Sequence, residues 1–289
     1  MEKVVIIGVG LIGGSFAKGI RRLYPDCQII GLDKSESHLQ EAQALEIINE
    51  IGSMNSLEEA DLVLVTIPVD VLVQDLPKLL DAVGEETLLV DAGSTKAALC
   101  KVVNDHPKRR NYLASHPIAG TEFSGPKAAF DGLYEGKTNI ICEVEKTAFK
   151  LQEKALELFQ NLGMRIRYMN PEAHDKHIAY VSHLSHISSF LLGKTVIEEE
   201  RNERDIFDMA GSGFESTVRL AKSSPDMWTP IFEQNKTNVI KSLEEYIKNL
   251  ETFKKMMEEG DFKGIYNEMN NTNSIKQILK GIPLTKTDN

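Results

Sequence analysis

Three glycines near the amino terminus have the spacing of a phosphate-binding turn. Gly8, Gly10 and Gly13 form the pattern G-x-G-x-x-G, and Leu11 and Ile12 begin the helix that it opens. In such a turn the first glycine permits a tight bend, the second lets the backbone approach a pyrophosphate, and the third lets the helix pack closely on the strand. The unpaired N–H groups and the positive dipole end of the helix attract the same phosphates. Because the pattern directly follows an apolar β-branched run, it predicts a dinucleotide site.

Asp33 closes a second apolar run, residues 28–32, about twenty residues after the glycines. A carboxylate at this place accepts hydrogen bonds from both hydroxyls of a ribose and repels a 2′-phosphate. The pattern therefore predicts NAD, rather than NADP, as the cofactor. The alternative is an ordinary glycine turn in a core that holds no ligand, with Asp33 as the N-cap of the following helix.

Two further segments follow predicted strands, where the nicotinamide end of a dinucleotide reaches. The first contains Thr66 and Pro68, and the second is the run DAGSTK, which contains Ser94. Ligands of doubly wound sheets bind beyond the carboxyl ends of the strands, so we expect these three residues to contact the cofactor. Ser94 is also a candidate N-cap of the helix that follows, and the two roles are compatible.

His116 is predicted to come directly after a strand, on the edge that faces the ligand. A neutral imidazole there accepts a proton from a substrate hydroxyl while hydride leaves the attached carbon. Pro117 and Gly120 indicate a loop of fixed geometry. The alternative is a histidine that is only polar surface or a structural hydrogen-bonding group.

His183 and His186 are three residues apart and share one face of a predicted helix. Metal binding is one alternative, but the H-E-x-x-H and E-x-x-H patterns of helical metal sites are absent. We therefore predict that these histidines bind no metal. The other alternative for the two side chains is a structural role, in which they form hydrogen bonds inside a packed helix.

Arg219 follows the glycine-containing run AGSGF, and a guanidinium suits bidentate capture of a carboxylate. The alternative for Arg219 is a surface ion pair.

The composition is that of an ordinary soluble globular protein. The chain has 289 residues, 42% of them hydrophobic and 26% charged, with a formal net charge of -10. An acidic chain disfavours nucleic acid and anionic membrane surfaces as partners, because both require a basic face. The amino-terminal apolar run is too short to span a bilayer and lacks the pattern of a signal peptide, so we expect a cytoplasmic protein. Cys27, Cys100 and Cys142 show no metal-like spacing and fit reduced structural thiols.

The order of elements predicts two domains. Up to residue 169, short β-branched runs alternate with helical patterns, which is typical of βαβ units and a mostly parallel sheet. We predict strands at 3–7, 28–32, 62–66, 87–90, 112–115, 139–143 and 165–168, and helices at 11–22, 35–44, 69–80, 95–104 and 147–162. Beyond Asn170-Pro171 the pattern is helical throughout. The sequence thus predicts a doubly wound Rossmann-type domain over 1–170 and an all-helical domain over 171–289, with the substrate cleft at their junction.

Taken together, the motifs resemble those of the prephenate dehydrogenase family across nearly the full chain. The resemblance rests on GVGLIGGS at 8–15, DAGSTK at 91–96, SHPIAGTE at 115–122, HD at 174–175, SHLSH at 182–186 and GSGFESTVRLAKSSPDMW at 211–228. Each motif alone is weak, but their order and spacing are specific. We expect neither a chorismate mutase segment before the glycine turn nor a full ACT-type regulatory domain after the helices.

The resemblance implies a role for each matching residue. His116 is the catalytic base, Ser94 orients it and contacts the same ring hydroxyl, and the helical domain forms a homodimer. His186 and Arg219 bind a substrate carboxylate, and Glu122 lies at the mouth of the site. The full substrate-binding set implied is His186, Arg219, Thr121, Glu122 and Trp228.

The implied reaction is NAD-dependent oxidative decarboxylation of prephenate in tyrosine biosynthesis. Arogenate, which carries an amino group in place of the keto group, is the alternative substrate, and His186 favours prephenate. A second alternative is a two-domain dehydrogenase for β-hydroxyacids, but that class carries a catalytic lysine where this chain has histidines. The third is a dimeric NAD-sensing protein without catalysis, which leaves Ser94, His116, His186 and Arg219 unexplained.

Overall fold

A computed structural model of the protein describes residues 1–201 and 205–280. Its centre is an eight-stranded sheet with the strand order β3-β2-β1-β4-β5-β6-β7-β8. All neighbouring strands are parallel except β6 and β7, which are antiparallel. The strands are β1 (Lys3–Ile7), β2 (Gln28–Leu32), β3 (Glu50–Ile51), β4 (Leu62–Val65), β5 (Leu88–Asp91), β6 (Tyr112–Pro117), β7 (Thr138–Cys142) and β8 (Arg165–Met169).

Helices connect the strands and then continue alone to the end of the described chain. Those between strands are α1 (Leu11–Leu23), α2 (Glu36–Ala44), α3 (Val69–Ala82), α4 (Ala97–Val102) and α5 (Phe149–Asn161). After the sheet come α6 (Pro171–Ile178), α7 (Leu184–Glu200), α8 (Ser212–Val218), α9 (Pro225–Gln234), α10 (Lys236–Glu259), α11 (Phe262–Thr272) and α12 (Ile275–Lys280). A single π-helical turn, Ala179–His183, joins α6 to α7.

Both faces of the sheet are covered, which explains why its strands are almost continuously apolar. Successive side chains of a strand point to opposite faces. Val4 and Ile6 accordingly pack in one buried cluster with Phe16 of α1, whereas Val5 packs in a second cluster with Leu72 of α3. A strand buried on both faces needs apolar residues at every position rather than at alternate ones.

The predicted α/β fold, with a mostly parallel sheet followed by helices, is confirmed. The seven predicted strands all form, with boundaries that differ by at most two residues. The two-residue strand β3 escaped prediction because its side chains are exposed and give no apolar signal. After Met169 the described residues contain helices and turns only.

The chain packs as two compact units, Met1–Lys236 and a second that begins at Thr237. The first holds the whole sheet and helices α1 to α9. The described part of the second, up to residue 280, consists of helical segments, in which Asp261 caps α11 by accepting a hydrogen bond from the N–H of Gly264 at 2.8 Å. The predicted division at residue 170 stays a prediction. None of the helices in the described ranges has the length and apolar character needed to cross a bilayer.

Candidate active site

The glycine turn between β1 and α1 has the geometry that close approach of a ligand requires. Gly8 has a φ of +93°, a conformation that favours glycine. A Cβ on Gly13 would overlap the carbonyl oxygen of Gly8, so this glycine permits the contact of helix and strand. Beside Gly10 the nearest atom to an added Cβ is the nitrogen of Gly125, 4.0 Å away. The turn is therefore tight at its base and open at Gly10, where a pyrophosphate has room.

Asp33 and Thr66 hold this turn from the neighbouring strands. One carboxylate oxygen of Asp33 accepts the N–H of Val9 at 3.0 Å, and the other accepts the N–H of Ser35 at 2.9 Å. The Thr66 hydroxyl donates to the carbonyl oxygen of Gly8 at 2.6 Å. Ser35, not Asp33, is the N-cap of α2, since its side chain accepts from the N–H of His38. The carboxyl ends of β1, β2 and β4 thus bring together Gly8, Asp33 and Thr66, which are three of the residues predicted to bind the cofactor.

Pro68 and Ser94 lie in the loops after β4 and β5. Pro68 is the residue immediately before α3. Helix α4 begins at Ala97 and its N-cap position is Lys96, so the interpretation of Ser94 as an N-cap is wrong. The physical reason is that a carboxylate from α6, rather than a local hydroxyl, satisfies the first N–H groups of α4. The contacts of both residues with a cofactor stay predictions.

His116 lies within β6 and not after it, because the antiparallel partner β7 extends the pairing and places Ile140 opposite it. The side chain is buried, and its Nδ1 is 2.8 Å from Nε2 of His174. His174 in turn has its Nδ1 2.8 Å from Oδ1 of Asp175. A buried chain of two imidazoles and one carboxylate therefore leads away from the predicted base.

Asp175 fixes the direction of the hydrogen bonds in this chain. Its carboxylate accepts the backbone N–H groups of Lys96 at 2.8 Å and Ala97 at 3.0 Å, which caps α4. Since the carboxylate accepts, Nδ1 of His174 donates to it and Nε2 of His174 is an acceptor. His116 then donates from Nδ1 and carries a lone pair on Nε2. The network thus prepares Nε2 of His116 as a base.

The surroundings keep His116 neutral. Burial holds its pKa well below the usual value, and positive charge on His174, Lys96 or His183 lowers it further. A buried cation without a carboxylate beside it is poorly solvated, so the neutral form is favoured. At neutral pH the imidazole is therefore able to accept a proton.

The loop that carries Ser94 is anchored by a buried ion pair between Lys96 and Asp91. The Asp91 carboxylate also accepts the hydroxyl of Tyr112 at 2.8 Å and the N–H groups of Ser115 at 3.1 Å and Gly93 at 2.8 Å. A buried pair is tolerated when its remaining polar atoms are hydrogen-bonded in this way. The end of β5 and the end of β6 are consequently held in one rigid arrangement.

His186 and Trp228, both predicted to bind substrate, lie together. Their rings stack with centroids 3.5 Å apart, and His183 meets Trp228 edge-on at 5.8 Å. Burial lowers the pKa of His183 to about 4 and also lowers that of His186. Three aromatic rings thus form one wall of uncharged side chains, which suits contact with an unsaturated ring.

Arg219 and Glu122 form an ion pair in which Nη1 lies 3.0 Å from Oε2. The Arg219 side chain is 48% exposed, so its guanidinium is accessible to an anion. Arg219 lies close enough to lower the pKa of His186. Thr121, beside Glu122, accepts the N–H of Phe123 through its hydroxyl at 3.2 Å.

The sequence missed the residues that support the base. Asp175 and His174 entered only as a motif of the resemblance, without a role. No motif marks Asn235, yet its Nδ2 donates to the carbonyl oxygen of Asp175 at 2.6 Å and lies 3.2 Å from Nδ1 of His183. These contacts join residues about sixty positions apart, which no local pattern reveals. Within 1–201 and 205–280, no three His, Cys, Asp or Glu side chains are arranged to hold a metal ion.

Comparisons with known families cover almost the whole chain. Residues 16–168 match the family described as "Prephenate dehydrogenase, nucleotide-binding domain". Residues 170–271 match the family described as "Prephenate dehydrogenase, dimerization domain".

Individual relatives and solved structures agree with these matches. The cyclohexadienyl dehydrogenase of Zymomonas mobilis is 29% identical, over 90% of this chain and 91% of its own. The prephenate dehydrogenase of Bacillus subtilis is 27% identical, over 98% of this chain and 76% of its own. The crystal structure of prephenate dehydrogenase from A. aeolicus, in complex with hydroxyphenyl propionate and NAD+, has a TM-score of 0.85 and 32% identity, and the match covers 96% of this chain and 98% of that one.

Proposed function

The chain belongs to the prephenate dehydrogenase family, and on that premise we propose that it oxidises and decarboxylates prephenate to 4-hydroxyphenylpyruvate, CO₂ and NADH in tyrosine biosynthesis. It is an NAD-dependent dehydrogenase. The observation that carries the proposal is the buried His116, whose Nε2 lone pair is set by the 2.8 Å contact with His174. A neutral base of this kind serves a reaction in which a hydroxyl loses its proton as hydride leaves the same carbon.

The glycine turn and Asp33 would hold the dinucleotide by its pyrophosphate and its adenosine ribose. Bound NAD supplies the hydride acceptor. His116 takes the hydroxyl proton at Nε2 as hydride leaves the ring carbon. The bond between the ring and its carboxylate then breaks as CO₂ is released, and its electron pair completes the aromatic ring. The ring oxygen recovers a proton from the imidazole, so that protons and electrons balance.

The remaining predicted residues position the substrate. Ser94 would orient His116 and contact the same hydroxyl, while Arg219 and His186 would bind a carboxylate. Trp228 would line the pocket, with Thr121 and Glu122 at its mouth. Most of the driving force comes from aromatisation, so the protein mainly supplies orientation and a proton acceptor.

A prephenate substrate is supported by the half-exposed guanidinium of Arg219. The positive charge of Arg219 disfavours the ammonium of arogenate. The name of the Zymomonas mobilis relative, cyclohexadienyl dehydrogenase, keeps arogenate as the second substrate to be tested.

We further propose a cytoplasmic homodimer that associates through its second half. The functional division would lie at residue 170, with the nucleotide-binding part over 1–170 and the helical part over 171–289. Support comes from the description of the family that matches residues 170–271 as a dimerization domain. Exposed apolar side chains of α10 give further support, since apolar stripes on helices mark sites of association.

The direct test supplies the purified protein with NAD and either prephenate or arogenate and follows the absorbance of NADH. We expect NADH formation with prephenate and a lower kcat/KM with arogenate. With NADP in place of NAD, we expect a much lower rate because Asp33 repels the 2′-phosphate. Absence of NADH formation with both substrates would refute the proposed activity.

A further inference from the structure

His116 is only the first of two imidazoles in a buried hydrogen-bonded chain. Its Nδ1 lies 2.8 Å from Nε2 of His174, whose Nδ1 lies 2.8 Å from the carboxylate of Asp175. Base catalysis at Nε2 of His116 requires from its neighbour only an acceptor for the Nδ1 proton, which an amide or carbonyl oxygen would also provide, so the second imidazole exceeds that need. His174 is only 2% exposed. Buried titratable groups are frequent at functional sites, so we looked for a function of this imidazole in the contacts that it makes.

The two imidazoles differ in how well they can carry positive charge. The groups that face His116 are His174, Lys96 and His183, and each of them disfavours a cation on His116. Burial lowers the pKa of His116 in the same direction. His174 faces His116 and His183 as well, but it also contacts the carboxylate of Asp175 directly. In a poorly hydrated interior, a cation beside a carboxylate is far better stabilised than a cation beside other cations.

The carboxylate that faces His174 cannot easily move away. Oδ1 and Oδ2 of Asp175 accept the N–H groups of Lys96 and Ala97 at the start of α4. The carbonyl oxygen of the same residue accepts from Asn235 at 2.6 Å. Asp175 is therefore held from two sides, and the imidazole of His174 is oriented by a fixed acceptor.

We propose that His174 receives the positive charge produced during turnover, through a relay of two protons. The substrate hydroxyl gives its proton to Nε2 of His116, and His116 passes the proton on its Nδ1 to Nε2 of His174. One proton leaves the substrate and one is gained by His174, while His116 ends neutral with its proton on Nε2. The reverse transfers return the proton when the phenol forms. His174 acts through His116 and is a positioning residue of the reaction proposed above, on which this inference rests.

The first test needs no turnover. The full-length protein is labelled with ¹⁵N in its histidines, and imidazole ¹⁵N shifts are followed while the pH is lowered, with His116→Asn and His174→Gln variants used for assignment. We expect both rings to carry their proton on Nδ1 at neutral pH, and His174 to be the first of the two to become an imidazolium. A proton on Nε2 of His116 at neutral pH, or an imidazolium that forms first on His116, overturns the relay. This result is independent of whether prephenate is the substrate.

The second test uses the active enzyme and a His174→Gln variant. The amide oxygen of glutamine can accept the Nδ1 proton of His116 but cannot take it up. We expect kcat to fall about 10²-fold, the contribution of one proton-transfer group, with little change in KM. A second measurement follows kcat in mixtures of H₂O and D₂O. For the wild-type enzyme, a plot of kcat against the deuterium fraction should be curved, because two protons move in the same step. For the variant the plot should be linear, because only one proton moves.

The matched control is His177→Gln, an exposed histidine on the same helix, which should leave both kcat and the isotope dependence unchanged. A linear dependence in the wild-type enzyme, or a His174→Gln variant with wild-type kcat, contradicts the proposal. If the wild-type protein forms no NADH from prephenate, the proposed function fails and the ¹⁵N titration alone decides the relay.

Discussion

At the scale of single residues, the reactivity of His116 is a consequence of what its two nitrogens face. Nδ1 is committed as a donor by the contact with His174, so the lone pair is left on Nε2. Burial keeps the ring neutral. The same imidazole on an exposed loop would rotate, change tautomer and bind protons near pH 6.5.

Replacement of His116 by Asn should abolish proton acceptance while leaving the dinucleotide site intact. We expect kcat to fall by about 10²- to 10⁴-fold, the usual contribution of a general base. The Kd for NAD, measured by calorimetry, should change little, since the glycine turn and Asp33 are untouched. A variant with the wild-type kcat would exclude His116 from the mechanism.

Arg219→Ala should act on substrate binding rather than on chemistry. A charged hydrogen bond is worth about 1.5 to 3 kcal/mol, so KM for prephenate should rise roughly 10- to 100-fold. Steady-state kinetics provide the measurement, with Lys222→Ala as the control, because Lys222 is also exposed and paired with a glutamate. An unaltered KM in the Arg219 variant would place the carboxylate anchor elsewhere.

At the scale of elements, the site depends on ends of strands and starts of helices. Strands β1, β4 and β5 end at one edge of the sheet, and α1 and α4 begin there. The two helices use their N-terminal N–H groups differently. Those of α4 are occupied by Asp175, whereas α1 begins beside the open turn at Gly10. The first arrangement positions a catalytic group, and the second provides room for phosphates.

Two alanine substitutions separate folding from cofactor binding in the glycine turn. A Cβ on Gly13 would overlap Gly8, so Gly13→Ala should lower the melting temperature strongly. Gly10→Ala has open space and an ordinary φ of -74°, so the melting temperature should change little while the Kd for NAD rises at least tenfold. Thermal unfolding and NAD titration of both variants provide the measurements. An unchanged NAD affinity in Gly10→Ala would contradict the assignment of the pyrophosphate site.

At the scale of the whole molecule, buried histidines make stability depend on pH. His116, His183 and His186 all have pKa values below the usual 6.5, chiefly because of burial. In the unfolded chain they bind protons near pH 6.5, and in the folded chain only at lower pH. The unfolded state therefore binds more protons in this window, and the free energy of unfolding falls as the pH is lowered.

Urea unfolding between pH 7.5 and 5 should show this effect. Each histidine that titrates contributes up to about 1.4 kcal/mol per pH unit to the slope. Above pH 7 these histidines are neutral in both states and contribute no slope. A His183→Gln variant should show a shallower dependence than the wild-type protein, and a stability that is constant from pH 7.5 to 5 would contradict the assigned burial.

A separate prediction concerns the association of two chains through their second units. Ile247, Leu250 and Phe253 are spaced by three residues on α10 and are 39% to 51% exposed. If this stripe is the proposed dimer contact, Leu250→Asp should convert the dimer to a monomer, because it places a charge in an apolar contact. Light scattering gives the mass in solution. The control Asn249→Asp adds the same charge beside the stripe and should remain dimeric, and a dimeric Leu250→Asp protein would locate the contact elsewhere.

The sequence by itself determined the features that depend on neighbouring residues. Continuous apolar runs indicated the buried strands, and the spacing from Gly8 to Gly13 indicated the dinucleotide turn, since a tight bend and a close packing contact each require glycine at one position. Periodicity also indicated the helical second half. The resemblance then supplied the family, which the comparisons confirm.

Only the tertiary structure decided how the candidate base is prepared. The extent of β6 around His116 depends on pairing with β7, and the cap of α4 comes from Asp175 on a helix 78 residues away in sequence. Likewise, the contacts of His186 with Trp228 and of Arg219 with Glu122 join distant segments. A hydrogen bond between remote residues leaves no periodic trace in the sequence, because it depends on how the elements pack and not on the order of their residues.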